Sequence, residues 1–488
     1  MLMIELDAVS LPFVRAHLDR LPNFRRLLQD GAVLETESPG HIASASVWPT
    51  FMSGLPPGHH GHYFPFQWHA EHMAFSRTNK KRWSNAIDFE PFWYDIARRG
   101  IACMVLDPTQ ILPHADVPCL EIVNWSTQST GRAFASEPVV LKQLRRRFGR
   151  RPIGKEVQVA KTRPMTEAIR RRAIQALKKK TDALIWLAAA RDWQFFLVSF
   201  HELHRAGHNL WPDPDGAGSD AAPDALLDVY RAFDTEIARI LRAVAVNDTT
   251  VLFFSLHGMA ANRAQNHFMP HIMNRLNTLY VSGKAQFAPT ESRPGLTAKL
   301  RDRLPPSVQY AAAASLGEDI QDWVVNREFV GGLDWSATPA FAVPTGGEGM
   351  IRLSLKGRER YGFLPDHDQA VGAYVDWLRD RLLCIKVKSS DEPLIDAVNL
   401  VRHVFPGPRH YFLPDIALHW APKHPVTEIY SDDIGEIRVA LRTGRGGNHT
   451  GDSFAILAGT GSTEDRLPGL RHITDYKTVV ERFFGGPS

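Results

Sequence analysis

Cysteine is scarce in this chain of 488 residues: Cys103, Cys119 and Cys384 are odd in number, widely spaced and set in apolar or loop surroundings. That excludes a disulfide framework and a thiolate metal cage, and leaves buried thiols as the reading. No apolar run is long enough to cross a bilayer, so a soluble protein without a membrane span is expected. The opening MLMIEL lacks the basic region, apolar stretch and small-residue cleavage site of a secretory signal, and a cytoplasmic location is expected. Charge of one sign is also scarce overall, the formal net charge being +4. Lys and Arg nevertheless cluster in LKQLRRRFGRRPIGK (141–155), RRR (170–172) and KKK (178–180). Such runs suit nucleic acid or anionic lipid, but solvated helix faces are the commoner origin, and a nucleic-acid partner is not expected.

What is present is ordinary globular composition, 44% hydrophobic and 23% charged. Short apolar runs alternate with helix-period segments: MLMIEL before PNFRRLLQDG, then IACMVLD, FFLVSF and TTVLFFS, each leading into a polar turn or loop. Continuous apolar strands separated by helices indicate an α/β fold with a mostly parallel central sheet covered by helices on both faces. Functional groups in such sheets sit on loops leaving the carboxyl ends of strands, where Asp7, His204, His208 and His257 fall. Helical periodicity fills about 140–190 and recurs over 223–245. From 276 to 404 the texture turns Gly- and Pro-rich, as in PTGGEGMIRLSLKGRER, with an amphipathic helix near 367–383. The expected organisation is therefore a core over 1–275, an inserted cap region over 276–404 and a return to the core over 405–488, before LPDIALHW (413–420).

The stretch HELHRAGHNLWP (201–212) directly follows FFLVSF. It is not the zinc-protease pattern H-E-x-x-H, because Arg205 stands four residues after His201. His204 and His208 are spaced i, i+4, so on a helical turn their rings project from one face and can share an ion. His449, in a Gly-rich loop before a late strand, can supply a third imidazole. Three neutral imidazoles and a water make an open catalytic zinc arrangement, and zinc or a similar divalent metal is the expected cofactor. Glu202 is placed to orient a ligand, against the plain alternative of an exposed glutamate. His201, nearer the strand, is either a supporting neighbour of the ligands or a structural residue.

Order and spacing carry more than any single pair. PNFRRLLQDG (22–31), Ser44 ten residues ahead of Gly54 in SGLPPGHHG, HRAGH, SLHGM (255–259) and GNHTGDSFAILAG follow one another as in a known family. The chain resembles the alkaline phosphatase superfamily, in particular its type I phosphodiesterase/nucleotide pyrophosphatase branch, over roughly 1–275 and 405–465. The resemblance implies an alkaline phosphatase-like fold and a hydrolase of phosphoric esters, most readily diesters or pyrophosphate linkages, acting on a small-molecule phosphoester. It also implies Ser44 as the nucleophile, with Ser46 in reserve; the alternative is a serine at a helix N-cap. One metal falls to the positions of His204, His208 and His449, and a second to those of Asp7, Ser44, Leu256 and His257. Two positions depart: the family carries Asp where His204 and Leu256 stand, and Leu has no lone pair to give. Losing two carboxylates raises the electrostatic cost of holding a second divalent ion, so one or two ions remain open. The GMIRLSLKGRERYGF stretch (349–363) resembles an element of related hydrolases without an assigned role. Other readings are a binding or scaffolding protein that keeps the fold, or a hydrolase of phosphonate or sulfate esters. SASVW lacks the Pro and Arg of the sulfatase motif C/S-x-P-x-R, which weighs against sulfate.

Overall fold

A computed structural model describes residues 1–486 apart from 78–88, 110, 112–115, 128–130, 158, 213–219, 245–248, 285–289, 292–303, 316, 442–443 and 460–466. The chain divides into two compact units, one of residues 1–56, 87–260 and 445–488, the other of 57–86 and 261–444.

The first unit is built on an eight-stranded sheet ordered Ala32–Thr36, Ser453–Leu457, Val251–Ser255, Leu2–Glu5, Phe195–Ser199, Cys103–Leu106, Cys119–Val123, Phe134–Ala135. The five strands from Val251–Ser255 to Cys119–Val123 run parallel. Ser453–Leu457 is antiparallel to both of its neighbours, and Phe134–Ala135 is antiparallel to Cys119–Val123. Side chains alternate between two apolar cores: Leu2, Ile4, Phe196 and Val198 enter one, while Met1, Met3, Phe195 and Leu197 enter the other. Both faces are thus buried, which is why the strands read as unbroken apolar runs. The long helix Arg163–Ala190 and the helix Ala225–Val244 cover the first face, contributing Leu177, Leu184, Phe233 and Ile237. Val47–Ser53 and Asp475–Phe483 cover the other, with Phe51 against Tyr476. The helix Val47–Ser53 stops at Gly54, whose φ of 68° places it in the left-handed region that favours glycine.

The second unit carries a four-stranded antiparallel sheet ordered Ala340–Ala342, Gly349–Leu353, Ile416–Trp420, Ile395–Leu400. The helices Met269–Ser282 and Asp368–Leu383 pack on it through Ile272, Leu276, Tyr374 and Leu378. This unit is wider than the 276–404 insertion expected from sequence. Met269–Ser282 buries its apolar stripe in this sheet, and Ile416–Trp420 inserts between two of its strands rather than returning to the large sheet. The GRE stretch acquires a structural place here. Arg352 donates through Nε to Glu359 (2.6 Å) and through Nη1 to the carbonyls of Tyr411 and Leu413. Arg358 donates to both carboxylate oxygens of Asp415 at 2.7 Å each.

Of the cysteines, Cys103 and Cys119 are buried as expected and Cys384 is exposed, because it follows the end of the helix Asp368–Leu383. The basic runs are not uniformly solvated. Lys178 and Lys179 face solvent, but Lys180, one residue on, turns inward and is fully buried. Among the described residues no helix is long and apolar enough to cross a membrane.

Candidate metal centre and active site

The helix His201–Leu210 begins two residues after the strand Phe195–Ser199, and all ten of its residues are buried. Its i, i+4 spacing brings the rings of His204 and His208 to 4.6 Å between centroids. His449 comes from the strand Gly447–Thr450, which lies against this helix so closely that a Cβ on Gly447 would sit 2.4 Å from the carbonyl oxygen of Gly207. Only glycine permits that approach, and it puts the His449 ring 4.8 Å from His204 and 4.7 Å from His208. The ring of His257, just past the strand Val251–Ser255, lies 4.5 Å from that of His449 at an interplanar angle of 40°. Four imidazoles from three distant segments therefore meet at the carboxyl end of the sheet.

Asp7, past the end of Leu2–Glu5, anchors the cluster from below. Its Oδ2 accepts from Nδ1 of His204 (2.8 Å) and from Nδ1 of His201, and its Oδ1 lies 4.0 Å from His257 Nε2. His201 reaches the carbonyl oxygen of Asp107 through Nε2 (2.8 Å), so it bridges two strand ends and supports Asp7 without facing the other rings. Asp107 is held in turn: its carboxylate accepts from the backbone N–H groups of Trp125 (2.7 Å) and Ser126 (2.9 Å) and from Lys180 Nζ. Glu202 is buried with Oε1 accepting from Ser126 Oγ (2.8 Å) and 3.9 Å from Lys180 Nζ. It belongs to that ionic network rather than to the exposed surface.

Hydrogen bonding fixes which imidazole nitrogens are available. His208 donates through Nδ1 to the carbonyl of Gly447 (2.8 Å), which leaves Nε2 buried with its lone pair and without a partner. His204 spends Nδ1 on Asp7 and turns Nε2 to His449 Nε2 at 3.3 Å. Two nitrogens bonded at about 2.0–2.1 Å to one tetrahedral ion stand about 3.3–3.4 Å apart, so this spacing matches a shared ligand position. A carboxylate behind one imidazole and a carbonyl behind the next is the arrangement that orients metal-binding histidines. The residues fit a divalent ion.

The ligand atoms gather in two overlapping triads, His204 with His257 and His449, and His204 with His208 and Glu156, each within 4.8 Å. The sequence grouping of His204, His208 and His449 thus shares its rings with this cluster but not its division. Glu156, from the loop between the helices Pro138–Phe148 and Arg163–Ala190, had no signal in sequence: it stands alone among basic and apolar residues with no periodic partner. The other departure is plain. Leu256 is fully buried in the apolar core with Phe254 and Met52, and only its backbone carbonyl takes part, accepting from Ser38 Oγ (2.6 Å).

Burial and mutual repulsion set the protonation. Burial, then the charges of Arg445 and His204, holds His208 well below the usual histidine range. His449 is held there by burial and by the neighbouring imidazoles, and burial lowers His257 to about 4. For His204 burial is outweighed by the carboxylate of Asp7, and its pKa is raised. Asp7 is correspondingly held well below the carboxylate range: His204 and His201 overcome its burial.

Ser44 opens a short turn, Ser44–Ser46, that runs directly into the helix Val47–Ser53. Both serines are buried, and Ser46 stands at the N-cap of that helix without a side-chain capping bond. The loop before them packs closely on His257 and Thr450, since a Cβ on Gly40 would lie 3.1 Å from His257 Cβ and 3.2 Å from the carbonyl of Thr450.

A parallel-rich sheet with its polar groups gathered beyond the strand ends and helices on both faces defines an alkaline phosphatase-like α/β protein. The chain belongs to the type I phosphodiesterase/nucleotide pyrophosphatase family, whose model matches residues 1–435. His449 lies beyond that match. Phosphonoacetate hydrolase from Sinorhizobium meliloti 1021, solved with phosphonoformate, is similar over 98% of this chain and 94% of its own at 14% identity and a TM-score of 0.50. Murine ectonucleotide pyrophosphatase/phosphodiesterase 5 is similar over 100% of this chain and 95% of its own at 13% identity and a TM-score of 0.47. None of the curated proteins matches in sequence. The family places the chain among phosphoester hydrolases that generally depend on divalent metals.

Proposed function

We propose that this protein is a metal-dependent hydrolase of phosphodiester or pyrophosphate bonds that uses Ser44 as nucleophile and one zinc or similar ion held at the imidazole cluster. The observation that carries the reading is the buried, unpartnered Nε2 of His208, whose tautomer is set by Gly447 and which stands beside His204 and His449. A buried imidazole nitrogen without a partner costs free energy, and a bound cation removes that cost. Asp7 keeps the Nδ1 proton of His204 and so presents Nε2 as the donor. His257 and Asp7 are the remnant of a second position that lacks its carboxylate at Leu256, which favours a single ion.

In this reading the Ser44 oxygen attacks phosphorus in line, the bond from phosphorus to the leaving oxygen breaks, and the resulting phosphoserine is cleaved by water. The ion, when bound, polarises the phosphoryl oxygens and lowers the pKa of a hydroxyl placed against it. The buried, neutral imidazoles keep donors available at neutral pH.

The test is metal content of the purified protein together with hydrolysis of bis-p-nitrophenyl phosphate, p-nitrophenyl phosphate and phosphonoacetate by wild type and Ser44→Ala. Diesterase activity lost by about 1,000-fold or more in the variant, with metal retained, is expected. Full activity in the variant removes Ser44 from the mechanism. Turnover of phosphonoacetate alone moves the substrate class to phosphonates, and wild type without metal or turnover supports a binding role for the fold.

A further inference from the structure

Glu156 and Arg445 stand at the edge of the imidazole cluster and are not accounted for by the family pattern. Glu156 accepts from Arg445 Nη2 at 3.2 Å, and both side chains are largely enclosed, with 11% and 12% of their surface accessible. A carboxylate oxygen of Glu156 also lies within 4.8 Å of donor nitrogens of His204 and His208. One carboxylate is therefore within reach of a guanidinium and of the lone pairs of two imidazoles. Arg445 is fastened beside the donors, because the next residue, Gly446, donates its N–H to the carbonyl of His208 (2.9 Å).

A divalent ion on His204 and His208 and the guanidinium of Arg445 would draw on the single negative charge of this carboxylate, and the repulsion between the two cations weakens whichever binds second. We propose that Glu156 is a ligand of the ion held by His204 and His208, and that Arg445 binds Glu156 when the ion is absent, so that metal entry exchanges a guanidinium for a divalent cation at one carboxylate. The exchange gives this chain, by a different route, the ligand carboxylate that His204 displaces from the family pattern. It also makes Arg445 a built-in competitor that sets how tightly metal is held. The inference rests on the metal reading above and adds to it a fourth ligand and a control on affinity.

The experiment measures Zn²⁺ and Co²⁺ affinity by competition with a chromophoric chelator, at fixed pH and salt, for wild type, E156Q, R445Q and the double variant. The visible absorption of bound Co²⁺ reports the ligand set, and circular dichroism checks the fold. E156Q is expected to weaken binding by about 10–100-fold or more and to change the Co²⁺ spectrum. R445Q is expected to tighten binding by about 10-fold, an opposite sign that general damage does not produce. In the E156Q background the R445Q effect is expected to shrink to under about 3-fold, the signature of coupling through the shared carboxylate. Unchanged affinity and spectrum in E156Q overturn the ligand assignment, and an R445Q gain of equal size in both backgrounds overturns the exchange. Should E156Q fail to fold, R445Q alone decides by its sign: weaker or unchanged binding refutes the proposal. Wild type that binds neither ion removes the metal reading itself, a result distinct from a wild type that binds and an E156Q that binds equally well.

Discussion

Two of the buried clusters of charged and titratable groups among the described residues differ in how completely their hydrogen bonds are closed. In the second unit Arg352, Arg358, Glu359 and Asp415 satisfy one another and nearby carbonyls, and none retains a buried polar atom without a partner. In the first, His208 Nε2, His257 Nδ1 and His449 Nδ1 are buried and unpartnered beside a carboxylate already shared by two rings. A closed network offsets the desolvation of its members, whereas an open one of the same burial leaves part of that cost uncompensated. The protonation follows. Burial lifts a carboxyl and lowers a guanidinium, but the pairing of Arg358 with Asp415 reverses both: Asp415 is held below the usual range and Arg358 above it. With no such pairing, His208 and His449 simply fall.

The sharpest way to break this contrast is to open the closed cluster. Asp415→Ala leaves Arg358 without its bidentate partner and is expected to cost about 3–5 kcal/mol in chemical denaturation, with metal binding unchanged in the protein that folds. The matching change in the open cluster behaves oppositely: His208→Ala is expected to lower zinc affinity by about 100-fold, near 2.7 kcal/mol, while the metal-free protein loses under about 2 kcal/mol. Equal stability losses for the two variants would erase the distinction. A third measurement uses protons. Burial lowers His257 in the folded protein to about 4 from the ordinary 6.5, so the unfolded chain binds a proton in that window and the folded chain does not. Metal-free stability is therefore complete above about pH 6.5 and falls as pH drops toward 4, by about 1.4 kcal/mol per pH unit from this residue. His257→Asn is expected to flatten the slope by that amount in urea titrations at pH 6.5 and 5, and an unaltered slope would contradict its burial as a neutral ring. The smallest effect falls on Lys179→Ala, within about 0.5 kcal/mol, since Lys179 is exposed one residue before the buried Lys180.

Those adjacent lysines show where sequence reading stops. The sheet was legible because strands buried on both faces must be apolar throughout, and FFLVSF and TTVLFFS are. His204 and His208 were legible because helical period alone brings them together. Lys180 was not: it closes a run of three lysines identical in type, and partners from distant segments, the carboxylate of Asp107 (φ 61°) and the carbonyls of Ser126 and Ser199, receive its inward-turned ammonium. Glu156 was hidden for the same reason, being brought to the rings by a loop with no repeating pattern. The boundary near 405 was misplaced because Ile416–Trp420 is as apolar as a strand of the large sheet, and pairing partners are a tertiary choice.

The strand Ser453–Leu457 occupies the interior of the large sheet, and Ala32–Thr36 joins the sheet only by pairing with it. A ribosome making this protein has therefore delivered Ser44, His204 and His257 long before the segment that brings His449 and closes the gap between Ala32–Thr36 and Val251–Ser255. A chain that stops short of residues 447–457 carries Ser44, His204 and His257 but lacks the strand that joins Ala32–Thr36 to the rest of the sheet.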